Sequence, residues 1–471
     1  LYQKLSVLMP VFNEARTLRR VLRGVLGCAL PSGMEMELVV VDDCSSDGTA
    51  AILEEAARAD ARIVVVRHER NRGKGAAIRS AIARMTGDIS IVQDADLEYD
   101  PAEIPRVIGP IVEGKADAVF GSRFAASSQR KVLLFWHSVA NRVLTLATNA
   151  LNDINITDME TCYKAVRGDI LKQIPLKSER FGIEPELTTR LAQWGVRLYE
   201  VPISYHGRTA AEGKKIGWRD AVSAAWCLVK FRFFDTRFTT HDGYYILQSV
   251  RRARGFNRWM LSRFREFLGK RVYEAGCGIG NFTELLLDRE RLVCADLDPF
   301  YVEMSRRRYG HLENVRTVSA DLSDGACVEE VGEERIDTVI SLNVVEHIEK
   351  DVETLKNFRR MLVDGGHAIV LVPAHQRLYT ACDRSLGHFR RYEPRELAEK
   401  FREAGFEVVS VKQFNRLGVL GWWVSGKLGK KELTPLQMRV YELVLPIAKL
   451  MDWMGVGPGL SLIVVGRAGK S

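Results

Sequence analysis

Short apolar runs alternate with amphipathic stretches along the first half of this chain, and that alternation constrains the fold more tightly than any other feature. Residues 5–11 form a buried-strand pattern and residues 14–26 carry helical spacing. Residues 37–41 read as a strand, 47–58 as a helix, and 62–66 and 89–92 as strands again. Strand, helix, strand, helix predicts a doubly wound α/β domain built on a parallel sheet. In such a sheet, ligands sit at the carboxyl ends of the strands. The polar clusters fall at those ends: Pro10-Val11-Phe12-Asn13-Glu14, then Asp42-Asp43-Cys44-Ser45-Ser46-Asp47, then Arg72-Gly73-Lys74-Gly75, then Asp94-Ala95-Asp96-Leu97-Glu98.

Each cluster also has a plain structural explanation. Asp47 fits a helix cap, and residues 73–75 fit a turn. Asp94 and Asp96 carry more weight. Two carboxylates two residues apart, where a strand gives way to a loop, can hold a hard divalent cation that also takes diphosphate oxygens. A lone pair of this kind is common; four polar clusters in register on one sheet edge are not.

These motifs, together with Gly121-Ser122-Arg123, resemble the family 2 GT-A glycosyltransferases, and within them the dolichyl- or polyprenyl-phosphate mannosyl- and glucosyltransferases. The likeness spans roughly residues 5–235. It implies that Pro10, Asn13, Glu14, Asp42, Asp43 and Lys74 line the nucleotide-sugar pocket. It also implies that Asp94 and Asp96 hold Mg²⁺ or Mn²⁺, with Glu98 as a third ligand where many relatives have Gln. Arg123 and Arg142 match family arginines placed near phosphates, and residues 157–164, containing Asp158, match an acceptor-side motif. Glu184 and Glu186 start a helix beside the site, and a loop with Arg208, Lys214 and Lys215 corresponds to one that covers the diphosphate and the acceptor phosphate. The implied donor is a nucleotide sugar of the GDP-mannose or UDP-glucose type, and the implied acceptor a polyprenyl phosphate or other lipid-linked group. A sugar nucleotidyltransferase is excluded, because it needs a Gly-rich basic loop where this chain has residues 10–14.

The expected chemistry is inverting transfer. A hydroxyl acceptor would need a carboxylate base, to be supplied by Asp158, Glu184 or Glu186. A phosphate acceptor is already anionic and needs cations instead, which Arg123, Arg142, Arg208, Lys214 and Lys215 would provide. Residues 131–151 and 219–234 are apolar and aromatic, punctuated by Lys and Arg. They fit amphipathic core helices or interfacial helices that present the site to a bilayer. Trp226, Phe231, Phe233 and Phe234 beside Lys230, Arg232 and Arg237 favour surface contact for the second stretch.

The alternation resets at residues 238–243, which sets expected domains at 1–240 and 241–471. After the strand 271–275 comes AGCGIG at 275–280. A P-loop fails, since Asn281-Phe282 stands where Lys-Ser/Thr is needed. A dinucleotide fingerprint is weak, since the third glycine comes one residue early. An adenosine-type site fits better: Glu274 precedes Gly276, Gly278 and Gly280, and the next strand ends in Asp296, placed to grip ribose hydroxyls. From about residue 244 onward the chain resembles a class I methyltransferase, a Rossmann-like fold using S-adenosyl-L-methionine. That resemblance puts Asp321 at the adenine edge and Asn343 at the end of the fourth strand, with a closing strand near 460–465.

His388, Arg390, Arg391 and Tyr392, in a GHFRRY run, are candidate grips for a phosphate or carboxylate on the methyl acceptor. A similar run occurs in methyltransferases encoded near cell-envelope glycan genes. Residues 415–458, with Trp422, Trp423 and Trp453, read as an amphipathic insertion. No Cys or His pairing in this half suggests a metal, and His347 and His388 are weak candidates for a base.

A net charge of +8 over 471 residues favours acidic partners but falls short of a nucleic-acid footprint. Eight scattered cysteines without framework spacing fit a reducing cytosol. No signal peptide and no run of 18 uncharged apolar residues is visible, and residues are expected to be missing ahead of Leu1. The expected enzyme is therefore a fusion that works at the cytoplasmic face of a membrane as a peripheral protein. A glycosyltransferase acting on a sugar hydroxyl, with the rear domain as a regulatory or docking module, is the alternative.

Overall fold

The computed structural model describes residues 2–125, 135–207, 218–427, 435–455 and 457–469. The chain divides into two compact units, Leu1–His241 and Asp242–Ser471.

The front unit is built on seven strands: β1 (Lys4–Val11), β2 (Glu35–Asp42), β3 (Ile63–Arg67), β4 (Ile89–Val92), β5 (Ala118–Ser122), β6 (Lys164–Arg167) and β7 (Leu198–Pro202). Their order is β3-β2-β1-β4-β6-β5-β7. The central strands β1, β2 and β4 are almost wholly buried and rich in Val, Ile and Leu, as expected for a sheet covered on both faces, while the edge strands β3 and β7 are partly exposed. Helix Leu18–Leu26 buries Leu18, Val21, Leu22 and Val25, one stripe at the helical period. The sheet is mixed rather than wholly parallel, because β6 runs antiparallel to both β4 and β5. Register places Val11 beside Asp42 and Asp42 beside Arg67, so the polar ends of β1, β2 and β3 share one edge.

The rear unit has β8 (Arg271–Ala275), β9 (Arg291–Asp296), β10 (Val315–Ser319), β11 (Ile336–Leu342), β12 (Leu362–Pro373), β13 (Phe406–Phe414) and β14 (Ser461–Ala468). The order is β10-β9-β8-β11-β12-β14-β13, with β14 antiparallel to both its neighbours. Two apolar layers, one on each sheet face, include Tyr273, Phe358 and Phe401 on one side and Trp259, Phe264 and Phe414 on the other. The strand order turns back between β8 and β11, whose carboxyl ends carry Ala275 and Leu342, and a crevice at such a reversal is where ligands bind in open α/β sheets. The insertion forms two helices, Arg416–Lys427 and Pro435–Met454. Among the described residues, no helix is long and apolar enough to cross a membrane.

Candidate functional sites

In the front unit, the ends of β1, β2 and β4 meet the start of helix Lys74–Ile82. Asn13 takes a left-handed conformation, φ 54°, and its Oδ1 accepts from the Ser46 amide at 2.8 Å, which ties the first loop to the second. Glu14 accepts from the Thr17 hydroxyl at 2.8 Å. Asp42 is buried and accepts from the Ser45 amide at 3.0 Å, while Asp43 accepts from the amides of Arg72 at 2.9 Å and Gly73 at 2.7 Å. Asp43 thus shapes the Gly73 loop from below. Gly73 itself has φ 90°, and a Cβ there would stand 2.5 Å from the Glu179 carbonyl oxygen, so no other residue fits this turn. A cavity of about 690 Å³ opens beside this loop, with Arg67, Arg70, Arg72 and Arg180 in its wall.

Lys74 reaches across the site. Its Nζ lies 2.9 Å from Asp94 Oδ1 and 2.9 Å from Glu184 Oε1. Burial opposes its charge, but the two carboxylates more than compensate and hold the ammonium well above its ordinary pKa. Asp96 is buried and its Oδ1 accepts from the Glu98 amide at 3.1 Å. Glu98 accepts from the Tyr205 hydroxyl at 2.8 Å. Asp94, Asp96 and Glu98 offer anionic oxygens of the kind a hard divalent cation takes, although their ligand atoms do not gather within 4.8 Å of one another.

Arg123, at the end of β5, donates through Nε and Nη2 to the two oxygens of Asp158, at 2.6 and 2.7 Å. Asp158 also accepts from the Arg123 amide and from Asn141, and the neighbouring guanidinium keeps the carboxyl ionised despite its burial. The Arg123 guanidinium lies over the Tyr205 ring, 5.0 Å from its centroid. Both Asp158 oxygens are thus engaged within the fold, and the carboxylate anchors Arg123. Glu186 is likewise spent, on the amides of Lys177 and Ser178. Arg142 is exposed on helix Phe135–Asn152. Arg208, Lys214 and Lys215 lie outside the described residues.

One residue escaped the sequence reading although its motif was quoted. Glu160 has a buried Oε1 without a hydrogen-bond partner. Burial, reinforced by Glu184, pushes its carboxyl up to about 7. Lys164, beside it, donates to the carbonyls of Met159 at 2.6 Å and Thr161 at 2.7 Å.

In the rear unit, Glu274 is the penultimate residue of β8, buried and accepting from the Thr283 hydroxyl at 2.6 Å. Burial pushes this carboxyl up to about 7. Gly276 has φ 77°, and a Cβ on it would collide with Val344 Cγ2, so the glycine loop packs directly on the turn that follows β11. Asp296 accepts from the amides of Gly278 at 2.8 Å and Asp298 at 3.0 Å, which fixes the loop against the end of β9. Gly280 also has a left-handed φ of 80°. Asp321 is exposed and accepts from the Ser323 amide and hydroxyl. Asn343 is exposed with φ 56°. Glu274, the glycines and Asp296 therefore converge at one sheet edge, as an adenosyl cofactor requires.

The GHFRRY run behaves differently from its expectation. Arg391 is buried and donates to Asp383 at 2.9 Å. Tyr392 is buried and donates to Asp351 at 2.9 Å, and Arg390 donates to the same carboxylate at 2.7 Å. Each of these three polar heads is paired with a carboxylate of the fold. His388 donates to Asp383 at 3.0 Å and stacks edge-on against His347, ring centroids 4.7 Å apart.

Two α/β sheets, each gathering acids and tight glycine turns at its ligand-binding edge, define a pair of group-transfer domains. Residues 6–174 match the family model for glycosyl transferase family 2, and residues 250–411 match a model for a methyltransferase domain. The chain therefore joins a family 2 glycosyl transferase domain to a methyltransferase domain. It is 30% identical over 223 residues to the undecaprenyl-phosphate 4-deoxy-4-formamido-L-arabinose transferase of Edwardsiella ictaluri, over 45% of this chain and 63% of that one. Proteins of the same name from Salmonella match at 30% over 213 residues, 45% of this chain and 62% of theirs. The chain thus spans less than two thirds of the length of these relatives. Among solved structures, glucosyl-3-phosphoglycerate synthase from Mycobacterium tuberculosis, with Mn²⁺, UDP and phosphoglyceric acid, aligns at 20% identity and a TM-score of 0.39, over 49% of this chain and 79% of that one. An S-adenosylmethionine dependent methyltransferase from Mesorhizobium loti aligns at 15% identity and a TM-score of 0.33, over 46% of this chain and 99% of that one.

Proposed function

We propose that the front domain transfers a sugar from a nucleotide donor to a polyprenyl phosphate, with inversion, and that the rear domain transfers a methyl group from S-adenosyl-L-methionine to an acceptor in cell-envelope glycan or lipid synthesis. The observation that carries the front-domain reading is the engagement of Asp158, Glu184 and Glu186 with Arg123, Lys74 and backbone amides. Asp158 and Glu186 have both oxygens engaged, Glu184 is paired with Lys74 through Oε1 and keeps a buried Oε2 without a partner, and a phosphate acceptor needs no base. Asp94, Asp96 and Glu98 would hold Mg²⁺ or Mn²⁺, which when bound supplies positive charge to the leaving diphosphate. Asp43 shapes the loop that faces the nucleotide, and Arg123, clamped by Asp158, presents a fixed cation to the phosphates. In the rear domain, Asp296 and Glu274 would orient the cofactor while Gly276 and Gly278 let the backbone approach it.

Exposed apolar side chains support work at a membrane surface. Helix Phe135–Asn152 exposes Trp136 at 76% and Leu146 at 69%, and the turn after helix Trp218–Val229 exposes Phe234 at 74%. Helix Pro435–Met454 exposes Val440, Leu443, Ile447, Leu450 and Met454 along one stripe. Such faces suit peripheral contact with lipid at the cytoplasmic leaflet.

Glu160 favours a second reading. A carboxyl near neutral pKa with an unpartnered oxygen is poised as a base for a hydroxyl acceptor. The test incubates the protein with labelled UDP-glucose or GDP-mannose, Mg²⁺ and polyprenyl phosphate and measures organic-phase label. Label that depends on Asp96, being lost in Asp96→Ala, supports the assignment, and label untouched by that change overturns it. Transfer that survives Glu160→Gln favours the phosphate acceptor over the hydroxyl. Calorimetry with S-adenosylhomocysteine tests the rear site, where absence of binding defeats the reading.

A further inference from the structure

The rear domain gathers three metal-type donors that no spacing in the sequence announces. Glu346, His347 and His388 each place a ligand atom within 4.8 Å of the other two. Glu346 and His347 lie in the turn Val345–His347, directly after β11. His388 lies on the segment between β12 and helix Pro394–Glu403. The two loops are laced together, since the Phe389 amide donates to the Glu346 carbonyl at 2.8 Å.

Glu346 is the decisive group. It is fully buried, and neither carboxylate oxygen has a hydrogen-bond partner. A carboxylate taken from water without donors is costly, so such a residue needs either its proton or a cation. The nearby Arg391 does not serve, because its guanidinium is engaged by Asp383 and the Ala374 carbonyl. The imidazoles complete the set. His388 Nδ1 lies 3.0 Å from Asp383 Oδ1, which leaves Nε2 as its second ring nitrogen. A carboxylate behind a histidine in this way is the usual support of a metal-bound imidazole. His347 packs edge-on against His388, ring centroids 4.7 Å apart, which brings its imidazole into the same cluster.

We propose that Glu346, His347 and His388 bind a divalent transition-metal ion on the methyl-acceptor side of the rear domain, and that the acceptor it serves presents a hydroxyl oxygen. Two imidazoles and one carboxylate suit Zn²⁺, Fe²⁺, Co²⁺ or Mn²⁺ better than Mg²⁺, and three ligands leave positions open for a substrate. The site adjoins the methyl donor's loop, because Val344 fills the space against Gly276. The inference rests on the rear domain being a methyltransferase. In that reaction the acceptor hydroxyl gives its proton to water, its oxygen forms the new bond to the methyl carbon, and the carbon–sulfur bond breaks with the electron pair left on sulfur. An ion at this place would favour loss of that proton.

The experiment titrates Co²⁺ into the full chain carrying Asp96→Asn, which weakens the front oxygen site, and follows the visible absorption of imidazole-bound Co²⁺. One His-dependent equivalent is expected, with affinity lowered about tenfold or more by His347→Ala and by Glu346→Gln. Both variants are also tested for S-adenosylhomocysteine binding, which shows that their fold is intact. Absence of Co²⁺ absorption in the Asp96→Asn chain, or equal affinity in variants that still bind S-adenosylhomocysteine, overturns the proposal. Retention of the His-dependent Co²⁺ site in a wild-type chain that fails to bind S-adenosylhomocysteine would instead defeat the methyltransferase reading.

Discussion

Asp158 and Arg123 form a closed pair, with Nε and Nη2 of the guanidinium at 2.6 and 2.7 Å from the two oxygens of one carboxylate. Both side chains are largely withdrawn from solvent. Removing one partner from such a pair strands the other charge, which typically costs about 3–5 kcal/mol. Asp158→Ala is therefore expected to destabilise the front domain by about that amount in urea denaturation. Asp158→Asn keeps the volume but releases Arg123, so sugar transfer should fall by more than stability does. Unchanged transfer in Asp158→Asn would mean that Asp158 does not set the position of Arg123.

Lys74 acts as an internal counter-ion to Asp94 and Glu184. A metal arriving at Asp94 has to compete with that ammonium. Lys74→Gln removes the competitor and should tighten Mn²⁺ binding in the absence of nucleotide by about tenfold, a 1.4 kcal/mol difference. Titration followed by Mn²⁺ electron paramagnetic resonance reads this directly. Weaker binding in the variant would show that Lys74 organises the acids rather than competing for them.

Much of this architecture was legible because apolar runs and polar strand ends alternate. The run at 89–92 followed by Asp94 and Asp96 marks both a buried strand and its functional edge, and β4 occupies that place. The antiparallel β6 was not legible: Lys164–Arg167 begins and ends in a cation and offers no apolar run like that of β4. β13 was missed although Phe406–Phe414 alternates in burial, because that stretch precedes the insertion and carries Glu and Lys. Pairings across distant segments were beyond reach. Nothing in the residues around Asp158 states that Arg123 will saturate it, and Arg391 and Tyr392 look like anion grips until Asp383 and Asp351 are brought beside them. Glu346, His347 and His388 share no sequence spacing that signals ligation, since the fold alone joins their loops.

Glu274 sets a pH dependence for the rear domain. Burial raises its carboxyl from 4.5 to about 7. The folded state thus keeps a proton that the unfolded chain releases above pH 4.5, so the contribution is fully present below that pH and is lost as pH rises through about 7. The melting temperature of the full chain should fall between about pH 5 and pH 8, with up to about 3 kcal/mol at stake. Glu274→Gln, which cannot ionise, should flatten that slope while keeping the bond from Thr283. An identical slope in variant and wild type would assign the dependence to another group.

Trp226 and Phe234 sit with ring centroids 6.2 Å apart, and Phe233 beside them is exposed as well. Lys230 and Arg232 share this segment. Aromatic side chains flanked by cations favour the interface of an anionic bilayer, where the rings enter the acyl boundary and the cations stay among the headgroups. Withdrawing one such side chain from lipid forfeits about 1.5–3 kcal/mol. Phe233→Ser with Phe234→Ser should therefore lower partition onto anionic phospholipid vesicles by at least about tenfold, measured by co-sedimentation. Lys230→Gln with Arg232→Gln should weaken binding at low salt and leave it nearly unchanged at high salt, where screening already removes the electrostatic share. Each variant is compared with wild type for its melting temperature, so that lost binding is not confused with unfolding. Equal partition of wild type and the double serine variant would exclude this face as the site of membrane contact.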